Sequence, residues 1–222
     1  MKVFDADVVR VHAVVKYKKV GLLRFLSAIE TANAIERNFR RAGAHMVFSQ
    51  GFHRKPKISF LDPTPTGVFN LALYVRVEVK GHEPDLLKRL KLTSVRNLEP
   101  VRIWWTEEDP NKLVSGYLFR VILPSKCVDL SRFDPEYEVN LEEKGKKGKM
   151  REFFNEIHFE KVGKFIVIVY SQNRNNVVRA RYLYEPLSVE SCEFVLVQRL
   201  RALCGQNNLD DVLEAKAWAV EY

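Results

Sequence analysis

The chain has 222 residues, of which 46% are hydrophobic and 29% charged, and this globular balance excludes general disorder. Its three cysteines are widely spaced and form no CxxC pair, which argues against a disulfide framework, a zinc site and an iron–sulfur cluster. The net charge of +8 is unevenly placed, because residues 37–61 contain six Lys/Arg and no acid, and this window favours an anionic partner such as nucleic acid.

The first residues, MKVFDADVVRVH, carry acids where a signal peptide needs an apolar core, and the longest strongly apolar run, 165–170, is too short to span a bilayer. We therefore expect a reduced, cytoplasmic protein without a membrane partner. Residues 8–18 alternate and are rich in valine, which predicts the first strand. Ser27 and Glu30 have the spacing of a capping box, and the apolar stripe that follows predicts a helix ending before Gly43.

Three more strands and a second helix complete the predicted first half. The strands are predicted at 44–49, 69–79 and 95–105 and the helix at 84–90, and a long loop at 50–68 separates the first two of these strands. The order β-α-β-β-α-β is the split βαβ pattern of ferredoxin-like folds. We therefore predict an α+β protein whose residues 1–111 form a basic ferredoxin-like domain.

Residues 112–222 are predicted to form a second α+β domain. Its predicted elements are strands at 116–123, 164–170 and 215–220 and a helix at 191–203. The segment EEKGKKGKMRE at 142–152 is charged and broken by glycine, which predicts a mobile hairpin. The element order is compatible with a second, degenerate ferredoxin-like unit, although no sequence repeat is visible.

The predicted topology places two basic loops at one end of the sheet. In a right-handed βαβ unit the first two strands run parallel, so the loop before the first helix and the loop between the second and third strands emerge together. The helix N-terminus at Ser27, with its free amides and positive dipole end, points the same way. Arg40 and Arg41 belong to the opposite end of the helix, where they suit its dipole and are expected to be solvated.

A binding site for nucleic acid or another anion is therefore predicted from both loops. Its residues are Lys18, Lys19, Arg24, Ser27, Gln50, Phe52, His53, Arg54, Lys55 and Lys57. The cations would contact phosphates, while Gln50 and Phe52 would read or stack on a base. The alternative is a solvated turn in which Phe52 is a buried anchor. No catalytic residue, cofactor or metal site is predicted, since the five histidines lack metal-ligand spacing.

Several motifs within residues 15–80 resemble a known family. They are KVGLLRFLS at 19–27, RRAG at 40–43, SQGF at 49–52, PKISF at 56–60 and PTG at 65–67. In this combination the chain is similar to an uncharacterised domain that is attached to, or encoded with, radical-SAM proteins of bacteria. That family usually has histidine and aspartate where this chain has Ala28 and Glu30, and a Pro-His pair where it has Arg54 and Lys55. Any role of those family residues therefore does not carry over.

The resemblance implies a context of RNA or tRNA modification. The chain lacks the CxxxCxxC motif of radical-SAM chemistry, so we expect a non-catalytic RNA- or tRNA-binding or adaptor protein that acts with a separate radical-SAM enzyme. Two alternatives stay open. One is an RNA-processing or RNA-modifying enzyme, endoribonuclease-like or pseudouridine-synthase-like, with Asp62 as its candidate acid. The other is a protein–protein adaptor whose partner docks on the strand containing Trp104 and Trp105.

Overall fold

The computed structural model describes residues 9–141 and 145–218, which form a mixed α+β architecture around one large sheet. The strands are β1 (Arg10–Lys19), β2 (Ile58–Phe60), β3 (Phe69–Lys80), β4 (Leu98–Trp105), β5 (Gly116–Pro124), β6 (Glu138–Leu141), β7 (Lys146–Lys149), β8 (Asn155–Val162), β9 (Phe165–Asn173), β10 (Leu196–Cys204) and β11 (Asn207–Asn208). The helices are α1 (Ala28–Arg41), α2 (Leu86–Thr93), α3 (Pro110–Leu113), α4 (Met150–Phe153), α5 (Arg181–Tyr184) and α6 (Leu209–Lys216).

The large sheet runs through both halves of the chain. Its main order is β4-β1-β3-β10-β5-β9-β8, with β2 paired to β3 and β11 to β10. Its pairings are antiparallel except for the short junction between β3 and β10, where Gln198 pairs with Phe69 and Arg199 with Asn70. Strands β6 and β7 form a separate two-stranded sheet. None of the helices in the described part is long and apolar enough to cross a membrane.

The first strand divides the hydrophobic core between two faces of the sheet. Side chains alternate along a strand, so Val11, Ala13 and Val15 share one face and Val14 lies on the other. The first face packs in one cluster with buried residues of α1 and α2. Val14 belongs to a second cluster, which includes α6 and most of the buried side chains of the second half. The alternation that predicts β1 from the sequence therefore also separates the two cores.

Helix α1 begins as the sequence predicts. The hydroxyl of Ser27 accepts a hydrogen bond from the amide of Glu30, whose carboxylate accepts one from the amide of Ser27. This reciprocal capping box satisfies two amides that a helix N-terminus leaves unpaired, and it is confirmed. The helix ends before Gly43, which has the positive φ of 64° expected of a glycine in the C′ position.

The predicted strand at 44–49 is present only as isolated bridges of Met46 with Val79 and of Phe48 with Pro56. On the side of β3 opposite to β1, the middle of the strand pairs with β2, which lies inside the predicted long loop. The prediction placed the second strand too early because residues 49–56 fold back on themselves. Pairing with β3 therefore passes from residues 46–47 to residues 57–60.

Two predicted elements of the second half are wrong. The helix predicted at 191–203 is instead the strand β10, which lies inside the sheet between β3 and β5. The strand predicted at 215–220 overlaps the end of α6, which continues to Lys216, and residues 219–220 lie outside the described part. Residues 142–144 of the predicted hairpin also lie outside it, whereas the remainder of that segment belongs mainly to β7 and α4.

Candidate nucleic-acid interface

An open cleft of about 940 Å³ lies where β1 begins, where β3 ends and where α1 ends. Four cationic side chains line it together with one histidine. They are Arg10, Arg40, Arg54, Lys80 and His45. Among the described residues no acidic side chain lines this space, which we term the basic cleft. A concave surface with charges of one sign raises the local concentration of ligands of the opposite charge.

The chain reaches the basic cleft as a small hairpin after α1. Backbone hydrogen bonds join Val47 to Glu78 and His45 to Lys80, both at 2.8 Å, so this segment follows the end of β3. The amide of Ser49 then donates to the carbonyl of Lys55 at 2.8 Å, which closes the hairpin around residues 50–54. We call residues 50–54 the basic tip.

The basic tip combines a constrained backbone position with an exposed aromatic ring. Gly51 has φ of 146°, which L side chains rarely adopt, so this position favours glycine. The Phe52 side chain is 97% exposed, and its ring meets the His53 ring edge to face with centroids 5.1 Å apart. The alternative in which Phe52 is a buried anchor is therefore excluded. The ring is therefore accessible to a ligand.

Two of the arginines that line the basic cleft pair with glutamates of the described residues. Arg40 pairs with Glu36 at 2.7 Å along α1, and its guanidinium lies 5.5 Å from the centre of the Phe48 ring. Arg10 approaches Glu78 only to 3.8 Å. The side chains of Arg10 and Arg40 are 61% and 49% exposed, so both guanidinium groups remain accessible to an anionic partner.

The predicted site residues do not come together at one end of the sheet. Strand β1 pairs with β3 so that Arg10 faces Lys80 and Lys19 faces Asn70, and these two ends are roughly 30 Å apart at 3.3 Å per residue. The basic tip lies at the Arg10 end, whereas Lys18, Lys19, Arg24 and Ser27 lie at the Lys19 end. The prediction of a shared end is wrong, because the loop that connects β2 with β3 is 61–68 and not the basic segment.

At the Lys19 end, three of the four predicted site residues make contacts within the protein. Arg24 donates to the carbonyl of Gly21 at 2.7 Å and stacks its guanidinium 4.2 Å from the centre of the Phe25 ring. Ser27 caps α1, and Lys19 is only 3% exposed. Lys18 is exposed on β1.

Some of the predicted site residues lie at the basic cleft and the basic tip, together with residues that were not predicted. Gln50 and Arg54 line the basic cleft, and Phe52 and His53 are exposed beside them. Lys55 is exposed at the base of the hairpin, while Lys57 points elsewhere and pairs with Glu78 at 2.8 Å. The prediction missed the contributions of Arg10, Arg40, His45 and Lys80 to this cleft. They were missed because the second strand was predicted too early in the chain. That prediction placed Arg40 at the end of the sheet opposite to the basic tip.

Asp62, the candidate acid of the enzymatic alternative, is bound by two residues of the second half. Arg174 donates to both carboxylate oxygens, at 2.6 and 2.9 Å, and Tyr117 donates its hydroxyl to one of them. Burial alone would raise the pKa of Asp62, but these hydrogen bonds and the nearby arginine charges outweigh it and lower that pKa. A carboxylate held in this way remains ionised and suits a structural role better than proton transfer.

The strand containing Trp104 and Trp105 does not present its indoles to solvent. Both side chains are buried, and Trp104 donates its Nε1 proton to Glu214 of α6 at 2.7 Å. Among the described residues no group of three or more His, Cys, Asp or Glu is arranged to hold a metal ion.

Residues 12–180 match the model of a family described as an uncharacterized protein conserved in bacteria, DUF2344. The chain belongs to this family. The DUF2344 match begins within β1 and extends past β9, so it includes the basic tip, the residues of the basic cleft other than Arg10, and Asp62 with its partners Tyr117 and Arg174. No curated protein matches the chain significantly.

Proposed function

We propose that this DUF2344 protein binds single-stranded RNA, non-catalytically, through the basic cleft and the basic tip. The observation that carries the proposal is the 97% exposed ring of Phe52 next to a cleft lined by cations and free of acids among the described residues. Proteins that bind single strands combine a cationic groove for the backbone with aromatic rings on which bases stack.

The geometry divides the two tasks between the cleft and the tip. Arg10, Arg40 and Arg54 supply guanidinium groups, which contact phosphate oxygens in a bidentate manner. Phe52 supplies a platform for one base, and the amide of Gln50 can donate to and accept from a base edge. Phosphate contacts fix position, and contacts with bases add whatever selectivity exists.

The proposal extends to fold and partner. The strand order β4-β1-β3-β2, with α1 and α2 on one face, supports a ferredoxin-like first half, and RNA-binding sheets of that general kind are common. The motifs KVGLLRFLS and SQGF support association with a separate radical-SAM enzyme that modifies RNA or tRNA, for which this chain would present the substrate.

The test is fluorescence anisotropy with a labelled single-stranded RNA of about a dozen nucleotides, titrated across a salt series. We expect log affinity to fall with log salt by roughly 0.7 per phosphate contact. Phe52→Ala should weaken binding by about 1–3 kcal/mol without changing that slope, because it removes stacking and no charge. Arg40→Ala should reduce the slope by roughly 0.7.

Arg102→Ala is the matched control for Arg40→Ala. Both side chains are 49% exposed and each pairs with a glutamate, but Arg102 lies on β4, outside the basic cleft. Equal losses from the two substitutions would contradict the proposal, because a diffuse positive charge would then suffice. Cleavage or modification of the RNA by the purified protein, abolished in Asp62→Asn, would instead favour the enzymatic alternative.

A further inference from the structure

A second, smaller pocket of about 290 Å³ opens at the Lys19 end, between the end of β1, the first turns of α1 and the segment 60–64. We call it the Lys19 pocket. Its volume lies just below the usual range for small-molecule sites, ~300–1,000 Å³. It is roughly the length of β1 away from the basic cleft, so it is not part of the proposed RNA site.

Lys19 brings a charge into this pocket without a carboxylate to balance it. The residue is 3% exposed, and its ammonium donates to the carbonyl of Leu26 at 3.2 Å and to the hydroxyl of Thr31 at 3.5 Å. Burial lowers the pKa of Lys19, and the positive charge of Arg199 lowers it further. No acid of the described residues forms an ion pair with its ammonium. Buried charges are normally paired, because desolvation without a counter-charge is costly.

Two neutral groups in the pocket also have hydrogen-bonding capacity to spare. Thr64 is 8% exposed, and its Oγ1 has no hydrogen-bond partner. Asn70 is 1% exposed and uses its Oδ1 to accept from the amide of Ala72, which leaves its amino group as a donor. Both residues line the pocket with Lys19. A buried polar atom without a partner indicates a missing ligand or water, because such atoms are rare in folded proteins.

The remaining wall of the pocket is apolar. It is formed mainly by aliphatic and aromatic side chains, including Ala32, Phe60 and Leu73. The pocket therefore combines three side chains that can donate hydrogen bonds with a largely hydrocarbon lining, and among its described lining residues there is no acid.

We propose that the Lys19 pocket binds a small organic carboxylate that carries a short hydrocarbon portion. The carboxylate accepts hydrogen bonds from Lys19, Thr64 and Asn70 and supplies the negative charge that Lys19 lacks. The hydrocarbon portion packs against Ala32, Phe60 and Leu73. A single carboxylate matches the single ammonium of the pocket in charge, and hydrogen bonds between charged groups are the stronger kind.

The probe for this site is sodium hexanoate, titrated into the full chain by isothermal calorimetry. Hexanamide, which has the same hydrocarbon portion and no charge, is the control ligand. We expect hexanoate to bind at least tenfold more tightly than hexanamide. Lys19→Met, which keeps the length of the side chain, should remove that preference, while Lys18→Met, the exposed neighbour on β1, should leave it unchanged.

A second variant keeps the proposal testable if Lys19→Met does not fold. Thr64→Val preserves the shape of Thr64 and removes only the hydroxyl, and it should weaken hexanoate several-fold and hexanamide little. Equal affinities of the wild type for the two ligands, or no binding of hexanoate, would overturn the proposal. So would unchanged hexanoate binding by folded Lys19→Met. RNA binding at the basic cleft is measured separately, and its failure would leave these results standing.

Discussion

One carboxylate, that of Asp62, connects the two halves of the chain. It lies just after β2, yet its partners Arg174 and Tyr117 belong to the second half. Arg199 extends the cluster by donating to the backbone carbonyls of Asp62 and Pro63 at 2.6 and 2.9 Å. Burial lowers the pKa of Arg199, while the charge of Asp62 opposes that effect. The loop 61–64 is thus fixed to the second half by hydrogen bonds from charged groups, which are stronger than those between neutral groups.

We expect Asp62→Asn to lower the free energy of unfolding by about 2 kcal/mol at neutral pH, as hydrogen bonds to charged groups are lost. The side chain is 39% exposed, so solvent screening keeps the loss below that of a fully buried pair. Because folding lowers the pKa of Asp62, its contribution is present above the unfolded pKa of ~3.9 and disappears as pH falls through the lower, folded value.

Urea unfolding of wild type and variant at neutral pH and at pH ~3 measures this difference, which should shrink at the lower pH. Asp134→Asn is the control, because Asp134 is exposed and its carboxylate accepts only from the backbone amide of Glu136 among the described residues. A loss as large at low pH as at neutral pH would show that Asn disturbs packing and that the charge of Asp62 is unimportant.

At the scale of single elements, local sequence patterns were sufficient to predict a strand or helix that buries one face. The alternation of β1 and the capping box of α1 are both read from a few residues, and both are confirmed. Strand β10 was missed because it is a central strand and carries Arg199, which is 1% exposed, in the place of an apolar residue. The spacing of its leucines and valine was then interpreted as that of a helix. No local pattern reveals that a buried arginine will be satisfied by carbonyls of a distant loop.

The candidate site was predicted only in part, because it also depends on contacts between distant segments. The basic and aromatic residues of the tip are visible in the sequence, but their neighbours depend on how the chain returns to β3 after α1. Strand β2 has only three residues, which is too short for a recognisable alternation of apolar and polar side chains. Its position decides which end of the sheet the tip occupies, and therefore whether Arg40 or Lys19 accompanies it.

Helix α1 offers a direct test of the capping box. Ser27→Ala removes the acceptor for the Glu30 amide and should lower the free energy of unfolding by about 1 kcal/mol. Ser94→Ala is the control, because the exposed hydroxyl of Ser94 donates to the Lys91 carbonyl after α2 and caps no helix N-terminus. Chemical denaturation of the two variants measures both changes. Similar losses would indicate that the capping box contributes no more than an ordinary surface hydroxyl.

At the scale of the whole molecule, α6 connects the end of the chain to the first half. Asp210 pairs with Lys16 of β1 at 2.5 Å and accepts from the Tyr74 hydroxyl on β3. Glu214 accepts from Trp104 on β4, and the amide of Trp218 donates to the Trp105 carbonyl at 2.9 Å. The apolar side of α6 belongs to the same core cluster as Val14 and Tyr74. The first half therefore lacks the cover for one face of its sheet until the last helix has docked.

This arrangement predicts that the two halves unfold together. Leu213 is fully buried in α6, so Leu213→Ala should cost about 3 kcal/mol through lost burial and the cavity left behind. The loss should appear to the same extent in tryptophan fluorescence, which reports mainly on Trp104 and Trp105, and in far-UV circular dichroism, which reports on both halves. Leu92→Ala, at a side chain 78% exposed on α2, should change neither transition appreciably.

Separate transitions for the two signals, with only one shifted by Leu213→Ala, would contradict the coupling. The parallel junction of β3 with β10 has only two registered pairs, so the sheet alone could let the halves part. The expected coupling then depends on α6 and on the Asp62 cluster, which both join the two halves through side chains. Asp62→Asn and Leu213→Ala combined should show whether each attachment holds the halves by itself. If either attachment is sufficient by itself, each single variant will unfold in one step and the double variant in two.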